Sequence, residues 1–199
     1  MDFSIPAPLQ ATLDAVDAVM NTHVIPLEPE ILARGFAAST PQLETVRDLV
    51  RAAGLWAPHL PTALGGLGLD LVAHGLVSER LGRSPLGHYA FGCQAPDAGN
   101  AEILHGHGST AQQARWLAPL ARGELRSCFA MTEPENAGSN PTVLSTIATR
   151  DGDHYVLNGH KWFTTGADGA ALAIVIWSCA PSTNRTGQVM AAMACSPLA

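Results

Sequence analysis

The chain has 199 residues, of which 47% are hydrophobic and 14% charged, with a net charge of −6. That balance describes a globular protein with a core of ordinary size in one large or two small domains, and it excludes intrinsic disorder. A single lysine, Lys161, leaves no basic footprint for nucleic acid, and no apolar run reaches the roughly 18 residues that span a bilayer. The start M-D-F-S-I-P-A-P lacks the basic and apolar regions of a secretory leader and the arginines of a transit peptide, so the expected compartment is the cytoplasm.

The first 125 residues read as helices. Leu9, Leu13, Val16 and Met20 recur at helical spacing and form one apolar face. A second helix begins at Ser39 or Thr40 as N-cap with Pro41 in its first turn, carries Leu43, Val46, Leu49 and Val50, and stops at Gly54. A Pro- and Gly-rich stretch follows, L-W-A-P-H-L-P-T-A-L-G-G-L-G-L-D, and helical patterns resume over 70–82, around 97–105 and from 109 to about 120.

After Arg126 the pattern turns to short alternating or β-branched runs: S-C-F-A-M, T-V-L-S-T-I-A-T-R, H-Y-V-L-N-G and L-A-I-V-I-W-S. Asp151-Gly152 between the second and third marks a hairpin. Helices followed by strands predict an α+β chain with a helical domain at 1–125 and a β domain at 126–199. The four cysteines are scattered without a C-x-x-C pair; His59, His74 and His88 are isolated in helical or Pro/Gly-rich segments, and His105 and His107, two apart on a helix, point in different directions with no carboxylate or thiol to complete a set, so neither a disulfide framework nor a metal site is expected.

Two stretches carry polar chemistry. In T-E-P-E-N-A-G-S, Thr132 and Ser139 flank a loop of Pro134, Asn136 and Gly138; such a loop either lets a flat or phosphorylated ligand approach the backbone or is a plain surface turn. In N-G-H-K-W-F-T-T-G, residues 158–166, two aromatics and two hydroxyls either cover a ring system or form a strand with Phe163 in the core and Thr164 outside.

Taken together, F-A-M-T-E-P-E-N-A-G-S and D-G-D-H-Y-V-L-N-G-H-K-W-F-T-T-G resemble the signature of the acyl-CoA dehydrogenase family, and L-P-T-A-L-G-G-L-G-L-D and L-G-R-S-P-L are similar to its helical domain. The resemblance implies that fold: an all-α N-terminal domain, then a middle domain resembling an incomplete β-barrel. It implies FAD as cofactor, with Phe129, Met131 and Thr132 against the isoalloxazine and Thr132 donating to its pyrimidine edge. Ser139 falls beside both the cofactor pyrophosphate and the pantetheine arm of an acyl-CoA substrate. The family's flavin-covering tryptophan falls on Phe163, with Trp162 in the slot before it, and the hydroxyl facing flavin N5 falls on Thr165.

The implied reaction is α,β-desaturation of an acyl-CoA thioester, as in fatty-acid β-oxidation, with an electron-transfer flavoprotein as acceptor and a homo-oligomer as the full-length state. The family's base is a glutamate of a C-terminal helical domain, so the resemblance implies a truncated form with no catalytic residue of its own; Glu133 and Glu135 belong to the loop motif, with Glu133 bracing it. The alternatives are a flavin monooxygenase on the same fold, and a non-catalytic fragment acting through a partner.

Overall fold

The computed structural model describes residues 4–138, 140–179 and 189–193, and these divide into two compact units. The first comprises residues up to 102 together with 121–123, and the second comprises 103–120 and the described residues from 124 onward. The helical residues 103–120 therefore cluster with the strands.

In the first unit, α1 (Ala7–Val19) buries Leu13, Val16 and Val19. The chain then coils on through Met20–Val24 and Ile25–Leu27 into α2 (Glu28–Arg34), where Pro26 and Pro29 supply no amide donors. α3 (Thr40–Ala52) buries Leu43, Val46 and Val50 as its apolar spacing predicts. Its start differs from expectation: Ser39 and Thr40 donate their hydroxyls back to the carbonyls of Gly35 and Phe36, so neither caps the helix. A short helical turn, Ala37–Ser39, leads into α3 without the extended residue that capping requires. α4 (Leu71–Leu81) is capped by Asp70, which accepts from the Ala73 amide at 2.8 Å. α5 (Gly87–Ala90) follows, and α6 (Asp97–His107) has its first residues, 97–102, in this unit and the rest in the second.

One helix position defies its type. Arg47 is 2% exposed, with its guanidinium between the rings of Trp56, 4.7 Å away, and Tyr89, 4.5 Å away. It donates to the carbonyls of Tyr89 and Gly123, and Glu44 lies 3.2 Å from it. Cation–π contact and carbonyl acceptors together replace the water this charge gives up.

In the second unit, α7 (Thr110–Gln112) begins with a reciprocal capping box between Ser109 and Gln112, and α8 (Ala118–Ala121), whose last residue clusters with the first unit, follows. Arg115 stacks on Trp116, 4.6 Å from its ring centre. β4 (Leu172–Cys179) is the organising strand. It pairs in parallel with β1 (Ser127–Ala130) and with β2 (Ile147–Asp151), and antiparallel with β5 (Val189–Met193). β2 forms a hairpin with β3 (His154–Asn158), closed by Gly152 and Asp153 with Gly152 at φ 58°, the glycine-first form that matches strand twist. The described strands form an open sheet. Its inner face packs Leu144, Ile174 and Ile176 against Ile103, Phe129 and Met131.

Candidate functional site

β1 ends at Ala130, and the chain leaves the sheet as M-T-E-P. Phe129 and Met131 lie half-buried on the apolar cluster below, which fixes this strand end. Thr132 is half-buried, and its carbonyl accepts from the Trp162 amide at 3.1 Å. That bond brings the two polar stretches of the sequence together.

The aromatic pair departs from the strand expected there. β3 ends at Asn158, and residues 159–164 are irregular, with Phe163 at φ 48° and 81% exposed and Trp162 42% exposed. A bulky side chain in the left-handed region is disfavoured by about 1–3 kcal/mol and persists only where its surroundings fix it. Phe163 is therefore not a core residue, and Thr164 is the half-buried one, with Thr165 exposed. The two rings lie 4.7 Å apart between centroids and present an apolar surface to solvent beside Thr132.

Glu133 holds the assembly, as its place in the loop predicts. It is 1% exposed, and its two oxygens accept from the Thr146 amide at 2.8 Å, the Lys161 ammonium at 2.8 Å, the Ser145 amide and the Asn136 side chain. The same ammonium donates to the Met131 carbonyl at 2.8 Å. Burial pushes the Glu133 carboxyl up; Lys161 and the backbone amides of Ser145 and Thr146 overcome it and hold the group at about 2. The Thr146 hydroxyl adds its dipole without a hydrogen bond of ordinary geometry. A second bridge, from His160 to Glu135 at 3.0 Å, joins the same stretches at the surface. Lys161 escaped the reading of the sequence, although its being the chain's only lysine, next to the aromatic pair, was a usable signal.

The same arrangement takes five residues, 142–146, out of the strand expected there. Glu133 claims the amides of Ser145 and Thr146, and Asn140 accepts from the Thr142 amide, so the strand expected from Thr142 begins only at Ile147. Ser139 lies outside the described residues.

The residues fit a flat, acceptor-edged ring. Neither the amide nor the hydroxyl of Thr132 bonds to another described residue, and a Cβ on Gly138 would come within 3.1 Å of the Thr132 methyl, so the loop folds close over that side chain. Donors at the strand end and bare aromatic faces beside them match a ring that is apolar on its faces and polar at its rim.

Comparison with known proteins decides the family. Residues 8–124 match the model of the acyl-CoA dehydrogenase N-terminal domain, and residues 128–195 match that of its middle domain. The chain belongs to the acyl-CoA dehydrogenase family. It is 39% identical to acyl-CoA dehydrogenase family member 11 of Gallus gallus over 167 residues, 79% of this chain and 21% of that protein. A putative acyl-CoA dehydrogenase from Mycobacterium abscessus superposes with a TM-score of 0.87 at 34% identity, over 96% of this chain and 51% of that one. At the level of fold alone, a glutaryl-CoA dehydrogenase from Mycobacterium smegmatis in complex with FADH2 superposes at 0.67 and 24% identity, over 88% and 43% of the two chains. The chain thus spans about a fifth of the avian relative and half of the Mycobacterium abscessus structure.

Proposed function

We propose that the chain forms the cofactor-holding part of an FAD-dependent acyl-CoA dehydrogenase, an oxidoreductase that desaturates an acyl-CoA thioester between its α and β carbons. The observation that carries this reading is the Trp162-to-Thr132 bond, which sets two exposed rings beside a pair of donors that no described residue engages. In this reading Thr132 donates to the pyrimidine edge and Phe129 and Met131 back the ring from below. Phe163 and Trp162 cover its face, Thr165 supplies a hydroxyl, and Ser139 reaches the pyrophosphate and the pantetheine arm.

When bound, FAD supplies the electron sink that takes hydride from the β-carbon. The chain's own residues orient the ring and keep water from its aromatic face. Glu133 takes no proton in this scheme: with its oxygens bonded and its carboxyl held at about 2, it has no basicity to offer near neutrality. The α-proton base is assigned to the part of the longer relatives that this chain does not span. An electron-transfer flavoprotein as acceptor, a homo-oligomer as the full-length state, a boundary near residue 125 between the helical and middle domains, a place in β-oxidation and a cytoplasmic setting complete the proposal. Among the described residues no helix is long and apolar enough to cross a membrane.

The test is a sizing column run with added FAD. The reading predicts flavin absorbance travelling with a compact protein peak at about one FAD per chain. A compact, folded peak with all the flavin eluting separately would overturn it.

A further inference from the structure

Lys161 and Glu133 lie beneath the proposed flavin contacts without being among them. The peptide between Met131 and Thr132 is trans, so its C=O and N–H point in opposite directions. The Met131 carbonyl bonds to the Lys161 ammonium and to no other described group. Wherever that carbonyl is held, the Thr132 N–H must face away from it. The neighbouring carbonyl, that of Thr132, is held in turn by the Trp162 amide.

We infer that Lys161 and Glu133 are positioning residues for the cofactor edge: the ammonium pins the Met131 carbonyl and so aims the Thr132 N–H outward, as a donor to an acceptor atom on the ring's rim. This rests on the flavin reading above. Glu133 fixes the ammonium in turn, through a contact of 2.8 Å with the carboxylate 1% and the lysine 13% exposed. Because the two charges cancel, the pair sets a peptide plane without placing net charge next to an uncharged ring edge. The lysine is adjacent to Trp162 in sequence, so the residue that orients the donor also tethers the start of the aromatic wall. A filler of equal length cannot replace it, since the function lies in the N–H···O bond and not in the volume.

The test compares FAD affinity, the visible flavin spectrum and the thermal midpoint of the chain with those of Lys161→Met, Lys161→Arg and Leu13→Ala. Leu13 is a buried residue of α1 in the other unit, so its truncation lowers stability without touching the site. Lys161→Met is expected to weaken FAD binding about tenfold and to shift the visible band, because a charge-assisted hydrogen bond is lost and the donor is no longer aimed. Lys161→Arg, which restores a cationic donor, is expected to recover part of both, and Leu13→Ala to lower the midpoint and leave both unchanged. If Lys161→Met does not fold, Glu133→Gln carries the same prediction at about threefold. FAD bound within twofold of the parent with an unchanged spectrum in the folded Lys161→Met or Glu133→Gln variant overturns the inference and leaves the flavin reading standing. Failure of the parent chain itself to bind FAD overturns both.

Discussion

Glu133 shows how one carboxylate can organise a loop. It receives an ammonium, two backbone amides and a side-chain amide from four positions between 136 and 161, so that residues distant in sequence share one anchor. Its folded carboxyl sits at about 2, against 4.5 when unperturbed, and the group is almost fully buried. The difference corresponds to stabilisation on the order of 3 kcal/mol. Because the folded value is the lower one, that stabilisation is complete above about pH 4.5 and is lost as pH falls through about 2. Glu133→Gln should therefore unfold at lower denaturant at pH 7, by a few kcal/mol, since it leaves Lys161 with an uncharged partner. Its stability should also vary less between pH 4.5 and pH 2 than the parent's. Urea titrations of both proteins at several pH values would read this, and parallel pH profiles would contradict it.

At the scale of elements, the site depends on where strands stop. β2 starts late because its would-be first amides serve Glu133, and β3 gives way at Asn158-Gly159 so that Trp162 can reach Thr132. Gly159 permits this: a Cβ there would lie 2.2 Å from the Thr146 hydroxyl and 2.7 Å from the Thr146 Cα. Gly159→Ala should therefore cost about 1–3 kcal/mol and loosen the Glu133 anchor, visible as a lower thermal midpoint. An unchanged midpoint would show that the two backbones are free to separate. Much of this architecture was legible beforehand: the apolar stripes of α1 and α3, the helix near 70–82, the hairpin at Asp151-Gly152 and the two polar stretches follow from periodicity, turn chemistry and motif. The late start of β2 and the left-handed Phe163 were not, because each is imposed by a partner more than ten residues away and local propensity favours a strand at both. Arg47 was invisible for the same reason, since its aromatic partners come from other segments.

At the scale of the molecule, the two units carry different pH sensitivities. In the helical unit the structure brings together histidines that the sequence separates: the rings of His59 and His74 are 5.8 Å apart, and His88 bonds to Ser78 at 2.7 Å. Both ring nitrogens of His59 and the Nε2 of His74 are buried without a hydrogen-bond partner among the described residues. Burial first, and then charge on His74, pushes the His59 imidazole down to about 4, and the same two causes lower His88. The unfolded chain therefore takes up protons first, so this unit should lose stability as pH falls from about 6.5 towards 4, a window above that of Glu133. His59→Leu should flatten thermal midpoints across that window, and an unaltered slope would remove His59 as the cause. In the other unit the proposed function has two sequence motifs meet to hold one flat cofactor. It is tested most directly by titrating the chain and its Thr132→Ala and Thr164→Ala variants with FAD and following flavin fluorescence. The account predicts saturable binding, weakened several-fold by Thr132→Ala through the loss of about 1 kcal/mol of hydrogen bonding and unaffected by Thr164→Ala; equal affinity in the two variants would contradict it.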